Sequence, residues 1–176
     1  MTTIYCTNKL KDFIGSTHLI EVDSSTQNPY GDWNGHLFFY DKRKHLIFVN
    51  NKSFYSIIIE DIKKADIKKM DSLFFNRLTE QLVFDKVIDI SDTLLILQKL
   101  LPFRLASTNN DKKTIGTLNE FVFQYKCNRD SQYWFDKPLI KINSSINDSL
   151  TRAGQNKDRQ YGRPILDMTE IINTSP

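Results

Sequence analysis

An α+β domain built around an antiparallel sheet is predicted by three features of this 176-residue chain. Between Asn34 and Asp61, three runs rich in β-branched and aromatic residues are separated by DKRK and NNK, which reads as a meander. Directly after it, Met70, Phe74, Leu78 and Leu82 recur at helical spacing, with Leu73 widening the stripe. Hydrophobic residues make up 40% and charged residues 26%, enough apolar content for one core in a chain of this length. The expected architecture is one domain of about four or five strands covered by about three helices. Residues 1–142 form the α+β domain, and 143–176 a polar, partly flexible, extended C-terminal arm.

The elements follow in chain order. Thr3–Cys6 is a short strand, and Lys9–Ile14 makes one or two helical turns that Gly15 ends. DSSTQNPYGD is a loop by its turn-forming residues. With Asp41 to Lys44 as the first turn of the meander, Tyr40 faces His45 and Phe38 faces Ile47. With Asn51 and Lys52 as the second, Phe48 faces Tyr55 and Leu46 faces Ile57. One face then carries Leu37, Phe39, Leu46, Phe48, Tyr55 and Ile57, and the other Phe38, Ile47, Val49, Phe54 and Ile58. Two apolar faces call for cover on both sides.

The first covering helix is capped by Asp66 or Asp71. The later start is favoured because Lys63, Lys64, Lys68 and Lys69 are unsuited to a helix N-terminus. A leucine-rich helix follows a Ser91 or Asp92 cap and ends before Pro102. Phe103–Thr108 returns as a strand, and TNNDKKTIGTLNEF leads into a third helix whose face holds Ile115, Leu118, Val122 and Tyr125. Beyond about residue 128 the pattern weakens, although SQYWFDKPLIKI and PILDMTEII carry enough apolar residues to pack.

Most standard chemistries fail on spacing. Cys6 and Cys127 match no zinc pattern and suit a reduced, cytoplasmic setting. In the expected register His36 and His45 sit four positions apart, about 13 Å, which is too far to share a metal. No metal or cofactor is therefore expected. Six glycines include neither GxGxxG nor GxxxxGK[ST], and no serine lies in GxSxG. The apolar runs are too short to span a bilayer, so no membrane contact is expected. A net charge of +3 permits nucleic-acid binding without demanding it.

Two stretches qualify as sites. In GDWNGH, Trp33, Asn34 and His36 stand at a strand entry, where they either plug the sheet end or face a ligand. In TNNDKKTIGTLNEF, Asn109, Asn110 or Asp111 caps the helix and leaves amides near Lys112, Lys113 and Thr114 open to an anion. Asn119, further along, suits a base edge or a partner's backbone. The basic hairpin tip at Lys42–His45 reads as solubilising charge. Arg152, Lys157, Arg159 and Arg163 around Tyr161 resemble a modest nucleic-acid contact.

IYCTNKLKDFI, the tryptophan of GDWNGHLFFYDKRKHLIFVNNKSFYSIII and the TNNDKKTIGTLNEF segment occur here in an order that resembles the DUF6933 family of short bacterial and phage-borne proteins. The corresponding pieces there are a strand ending in CTKKL, a W-led meander with a basic turn, and a Thr/basic segment entering a helix with an LN or MN pair. Leu118 and Asn119 fit that pair. The resemblance covers most of residues 1–125 and implies a prokaryotic, mobile-element or phage-linked origin. It carries no activity with it.

The leading expectation is a non-enzymatic binding module that contacts nucleic acid or a protein partner through Lys112, Lys113, Thr114 and Asn119, with Trp33, Asn34 and His36 as neighbours. A small hydrolase or nuclease is the alternative, with His36 as general base and Asp32 or Asp111 orienting it. A third is an antitoxin-like subunit wrapping a partner with the tail. Oligomeric state leaves no trace in the sequence.

Overall fold

The computed structural model describes residues 1–22, 28–152 and 161–175. Five strands, β1 (Thr2–Cys6), β2 (Trp33–Tyr40), β3 (Arg43–Asn50), β4 (Ser56–Ile59) and β5 (Phe103–Ser107), form one sheet in the order β4-β3-β2-β1-β5. The meander β2-β3-β4 is antiparallel, but β1 runs parallel to both β2 and β5. The sheet is therefore mixed. Strands joined by long connections, here through the helix after β1 and the helices before β5, are free to pair in parallel.

Both hairpin registers differ from expectation by two residues. Asp41 and Lys42 alone make the first turn, with φ of 45° and 58°, so Tyr40 pairs with Arg43 and Phe38 with His45. Two successive left-handed residues match the twist of the strands they join. In the second connection the Asn50 Oδ1 accepts from the Lys52 and Ser53 amides, and Phe48 pairs with Ile57 rather than Tyr55. A shift of two leaves every side chain on its face. Leu37, Leu46, Phe48, Tyr55 and Ile57 accordingly share one buried cluster, while Phe38, Ile47, Val49, Phe54 and Ile58 share the other. Phe39 stays half exposed, at 51%. His36 and His45 are now two positions apart rather than four, and among the described residues no three His, Cys, Asp or Glu are grouped to hold a metal.

Six α-helices occur among the described residues, twice the number expected. They are α1 (Asn8–Ile14), α2 (Met70–Phe84), α3 (Thr93–Leu100), α4 (Lys112–Asp130), α5 (Leu139–Asn147) and α6 (Pro164–Thr174). The first face of the sheet is covered by α1, α2, α3 and α6, with Leu10, Phe74, Leu78, Ile96 and Met168 in its core. On the second face α4 and α5 cover the meander half through Leu118, Phe121, Tyr125, Ile142 and Ile146. The boundary expected at 142/143 falls inside α5. Met168 of α6 is 1% exposed, and an antiparallel pair of short strands, β6 (Thr151–Arg152) and β7 (Tyr161–Gly162), precedes that helix. Lys157 and Arg159 lie outside the described residues. Among the described residues no helix is long and apolar enough to cross a membrane.

At Ser56, its first residue, the outer edge of β4 is capped by side chains. Asn147 Oδ1 accepts from the Ser56 amide and hydroxyl at 2.8 Å each, while Asn143 and Asn147 both donate to the Ser56 carbonyl. Two asparagines one helical turn apart thus supply at Ser56 the partners a neighbouring strand would.

Candidate functional site

Parallel pairing brings the carboxyl ends of β1 and β5 side by side, with Cys6 opposite Ser107. Two chain segments leave the sheet there together, Thr7-Asn8-Lys9 into α1 and Thr108-Asn109-Asn110 toward α4. The crevice outside the carboxyl ends of parallel strands is a recurrent place for ligands. Here it is a cavity of about 320 Å³ lined by Thr7, Lys9, His36, Asn110, Leu118 and Asn119, among others.

Alternation along β2 turns Asn34 and His36 to the second face, the one that carries this cavity. The Thr7 amide donates to the Gly35 carbonyl at 3.0 Å, continuing the β1–β2 pairing by one step. That places the Thr7 hydroxyl 2.8 Å from His36 Nδ1. Burial, and then the Lys9 ammonium, lower the His36 pKa to about 4, so the imidazole is neutral at pH 7. Asn34, 1% exposed, donates from Nδ2 to Asn109 Oδ1 at 3.3 Å and so ties β2 to the loop ahead of α4. Its own Oδ1 is buried without a partner. Asn110 holds a φ of 55°, a conformation that asparagine tolerates better than most residues.

Asp111 is the cap of α4. Its Oδ1 accepts from the Lys113 and Thr114 amides at 3.1 Å each, and its Oδ2 from the Thr114 hydroxyl at 2.5 Å. The Lys113 and Thr114 amides, expected to stay open to an anion, are therefore engaged by this carboxylate. Thr114 is buried at 1% exposure. The Lys113 ammonium lies 5.4 Å from the centre of the Phe54 ring, beside a separate cavity with Thr117, Glu120 and Tyr161. Lys112 is exposed on the first turn of α4. Of the residues expected to act together, the fold gathers His36 and Asn119 at the cavity, with Asn34 linked to its loop.

The others lie elsewhere. Trp33 is fully buried on the opposite face, its ring edge-on to Phe74 at 5.3 Å, and its indole N–H has no partner. Asp32 stands four positions before His36, about 13 Å along an extended strand, and its Oδ1 accepts from the Thr3 amide at 3.3 Å. Burial raises the Asp32 pKa. Asp111 spends both carboxylate oxygens on its cap. Neither acid is a hydrogen-bond partner of His36, whose neighbours are Thr7 and Lys9.

Thr7, Asn8 and Lys9 were not legible as site residues, and within TNNDKK Asn110 was legible only as a candidate helix cap. The one signal for Thr7 to Lys9 was position, since CTNKL, like TNNDKK, is a polar segment that directly follows a strand.

The family model of a domain of unknown function, DUF6933, matches residues 3–166, from inside β1 into α6. No curated protein and no solved structure matches the chain. The matched span includes all three segments that meet at the cavity, and with a match over most of its length the chain belongs to the DUF6933 family.

Proposed function

We propose that the chain is a nucleic-acid-binding module whose ligand enters the cavity at the carboxyl ends of β1 and β5. The observation that carries this reading is the meeting of three polar segments distant in sequence, Thr7-Asn8-Lys9, Asn34 to His36 and Thr108-Asn110 with Asn119, around one opening. Asparagine amides pair with base edges through one donor and one acceptor face, and Lys9 supplies a charge for phosphate. A neutral His36 adds hydrogen bonding without a fixed charge. A bacterial or phage-linked, cytoplasmic setting is part of this proposal and rests on the family resemblance and the free cysteines.

Retention on DNA and RNA measured against salt tests it. Binding should weaken steeply with salt, Lys9→Ala should lower the logarithmic slope by about 0.7 to 0.9, and Asn119→Ala should weaken binding at every salt concentration. Absence of retention at low salt would remove nucleic acid as the ligand.

A general-base role for His36 is the second reading, favoured by its neutral imidazole and its contact with the Thr7 hydroxyl. It lacks the carboxylate that would orient the ring. Hydrolysis of a nucleic-acid substrate that disappears in His36→Asn would support it over simple binding.

A further inference from the structure

We infer that Lys44 and Lys64, brought together at the ring of Phe13 near the end of α1, clamp a backbone phosphate of the nucleic acid that enters the cavity. This rests on the function proposed above and adds a second contact with the same ligand.

Three elements converge at this point. Phe39 of β2 pairs directly with Lys44 of β3, so the two side chains share the first face of the sheet. The Ile62 amide donates to the Lys44 carbonyl at 2.8 Å, which brings in the chain entering a short 3₁₀ helix, Lys64–Lys69. The last turn of α1 supplies Phe13. The Lys44 ammonium lies 5.9 Å from the centres of both the Phe13 and the Phe39 rings, and the Lys64 ammonium 5.4 Å from that of Phe13. Lys64 also donates to the Phe13 carbonyl, one of those that α1 leaves without a partner at its end.

A lysine at a hairpin tip is ordinarily solvated and mobile. Here ring faces and a carbonyl seat both ammoniums, so less freedom is lost when an anion arrives. Both lysines are exposed, and among the described residues neither has a carboxylate within ion-pair distance. Two like charges at one ring repel each other, and an anion between them attracts both. Of the neighbouring carboxylates, Asp61 pairs with Arg43 at 3.8 Å and Asp66 accepts from the Lys63 amide at 2.8 Å. Asp12 and Asp41 oppose a phosphate from exposed positions, where water and salt screen them.

One side of α1 links the clamp to the cavity. Lys9 lines the cavity and Phe13 follows it by four residues, which puts the two on the same side of the helix, about 5–6 Å apart. A strand of nucleotides passing Lys9 on its way out of the cavity meets Lys44 and Lys64 next. An anionic membrane suits these lysines less well. α1 buries its apolar residues Leu10 and Ile14 in the core and keeps no apolar face for lipid.

The experiment measures the affinity of one labelled oligonucleotide against salt. Compared with the wild type are Lys44→Ala, Lys64→Ala, their double variant, Phe39→Leu, Asp12→Asn and, as a control on α5 over the other face, Lys141→Ala. Each clamp lysine removed should lower the logarithmic salt slope by about 0.7 to 0.9, and the double variant by about twice that. Phe39 is 51% exposed, so Phe39→Leu should leave the fold intact. It should weaken binding about 2- to 5-fold at an unchanged slope, because it unseats Lys44 without removing its charge. Asp12→Asn should tighten binding, and Lys141→Ala should change neither quantity. Circular dichroism and a melting curve establish that each variant is folded. A slope unchanged in the double variant, or lowered as much by Lys141→Ala, would overturn the clamp, while a slope that still falls in Lys9→Ala would leave the cavity reading in place. Phosphatidylserine vesicles that bind the wild type but not the double variant, with oligonucleotide binding intact, would overturn it in favour of a membrane. A wild type that binds neither DNA nor RNA at low salt would overturn both readings.

Discussion

The hydroxyl of Thr7 and the Nδ1 of His36 lie 2.8 Å apart, joining the exit of β1 to the middle of β2 at the mouth of the cavity. This contact holds a neutral ring, because burial and Lys9 together lower the His36 pKa to about 4 from its ordinary 6.5. The unfolded chain takes up the proton first as pH falls, and the folded chain only near pH 4. The contribution of His36 to stability is therefore intact above the ordinary histidine range, is lost as pH falls through the window between the two values, and levels off below it. Urea midpoints across that window should descend more steeply for the wild type than for His36→Asn. Parallel descents would count against a depressed His36.

Asp111 joins three groups of the first turn of α4, and its removal tests the cap separately from the site. Asp111→Ala should lower stability by about 1 kcal/mol and Asp111→Asn by less, with the urea m-value unchanged. A loss within error in Asp111→Ala would mean that the Thr114 side chain and water take over the capping.

Trp33 illustrates the cost of reading a motif without its face. It stands between Asp32 and Asn34 in GDWNGH, yet alternation sends it to the first face, against Phe74. Trp33→Phe should lower stability by about 1–3 kcal/mol through lost volume. It should leave nucleic-acid affinity unchanged, whereas Asn34→Ala should reduce it. A fall in affinity for Trp33→Phe with stability unaltered would reverse that assignment.

The sheet faces were legible because residues of opposite faces alternate in β2, β3 and β4, and an even register error preserves the alternation. The helix stripe of Met70, Phe74, Leu78 and Leu82 was legible for the same kind of reason. The parallel direction of β1 was not, since the five residues TTIYC fit either direction and the choice is made by what they pair with. In α5, Asn143 and Asn147 look like loop residues, but both are fully buried on the face of Ile142 and Ile146. At the cavity, polar character was visible in every segment while their meeting was not. That meeting depends on the parallel pairing of β1 with β5.

The edge of β4 gives a graded test of those asparagines. Asn147→Ala leaves the buried Ser56 amide and hydroxyl without their acceptor, at about 1–3 kcal/mol for each orphaned group. Asn143→Ala should cost less, because the Ser56 carbonyl keeps Asn147 as a donor at 3.0 Å. Chemical denaturation ranks the pair, and equal losses would mean that Asn143 and Asn147 are interchangeable at this edge.

Gly35 links core packing to the cavity. A Cβ at this position would lie 2.8 Å from Leu10 Cδ2, 3.0 Å from Ile4 Cγ2 and 3.1 Å from Phe48 Cδ1. The glycine therefore lets α1 sit tightly on β2, and α1 begins with the residues that follow Thr7. Gly35→Ala should push α1 outward, lower stability by about 1–3 kcal/mol and weaken nucleic-acid binding by displacing Lys9 from the cavity rim. The nearest atom belongs to the end of a flexible side chain, so Leu10→Val in the same molecule should recover part of both losses. Two changes in contact are expected to couple in this way. Losses that simply add in the double variant would show that α1 is not the element Gly35 accommodates.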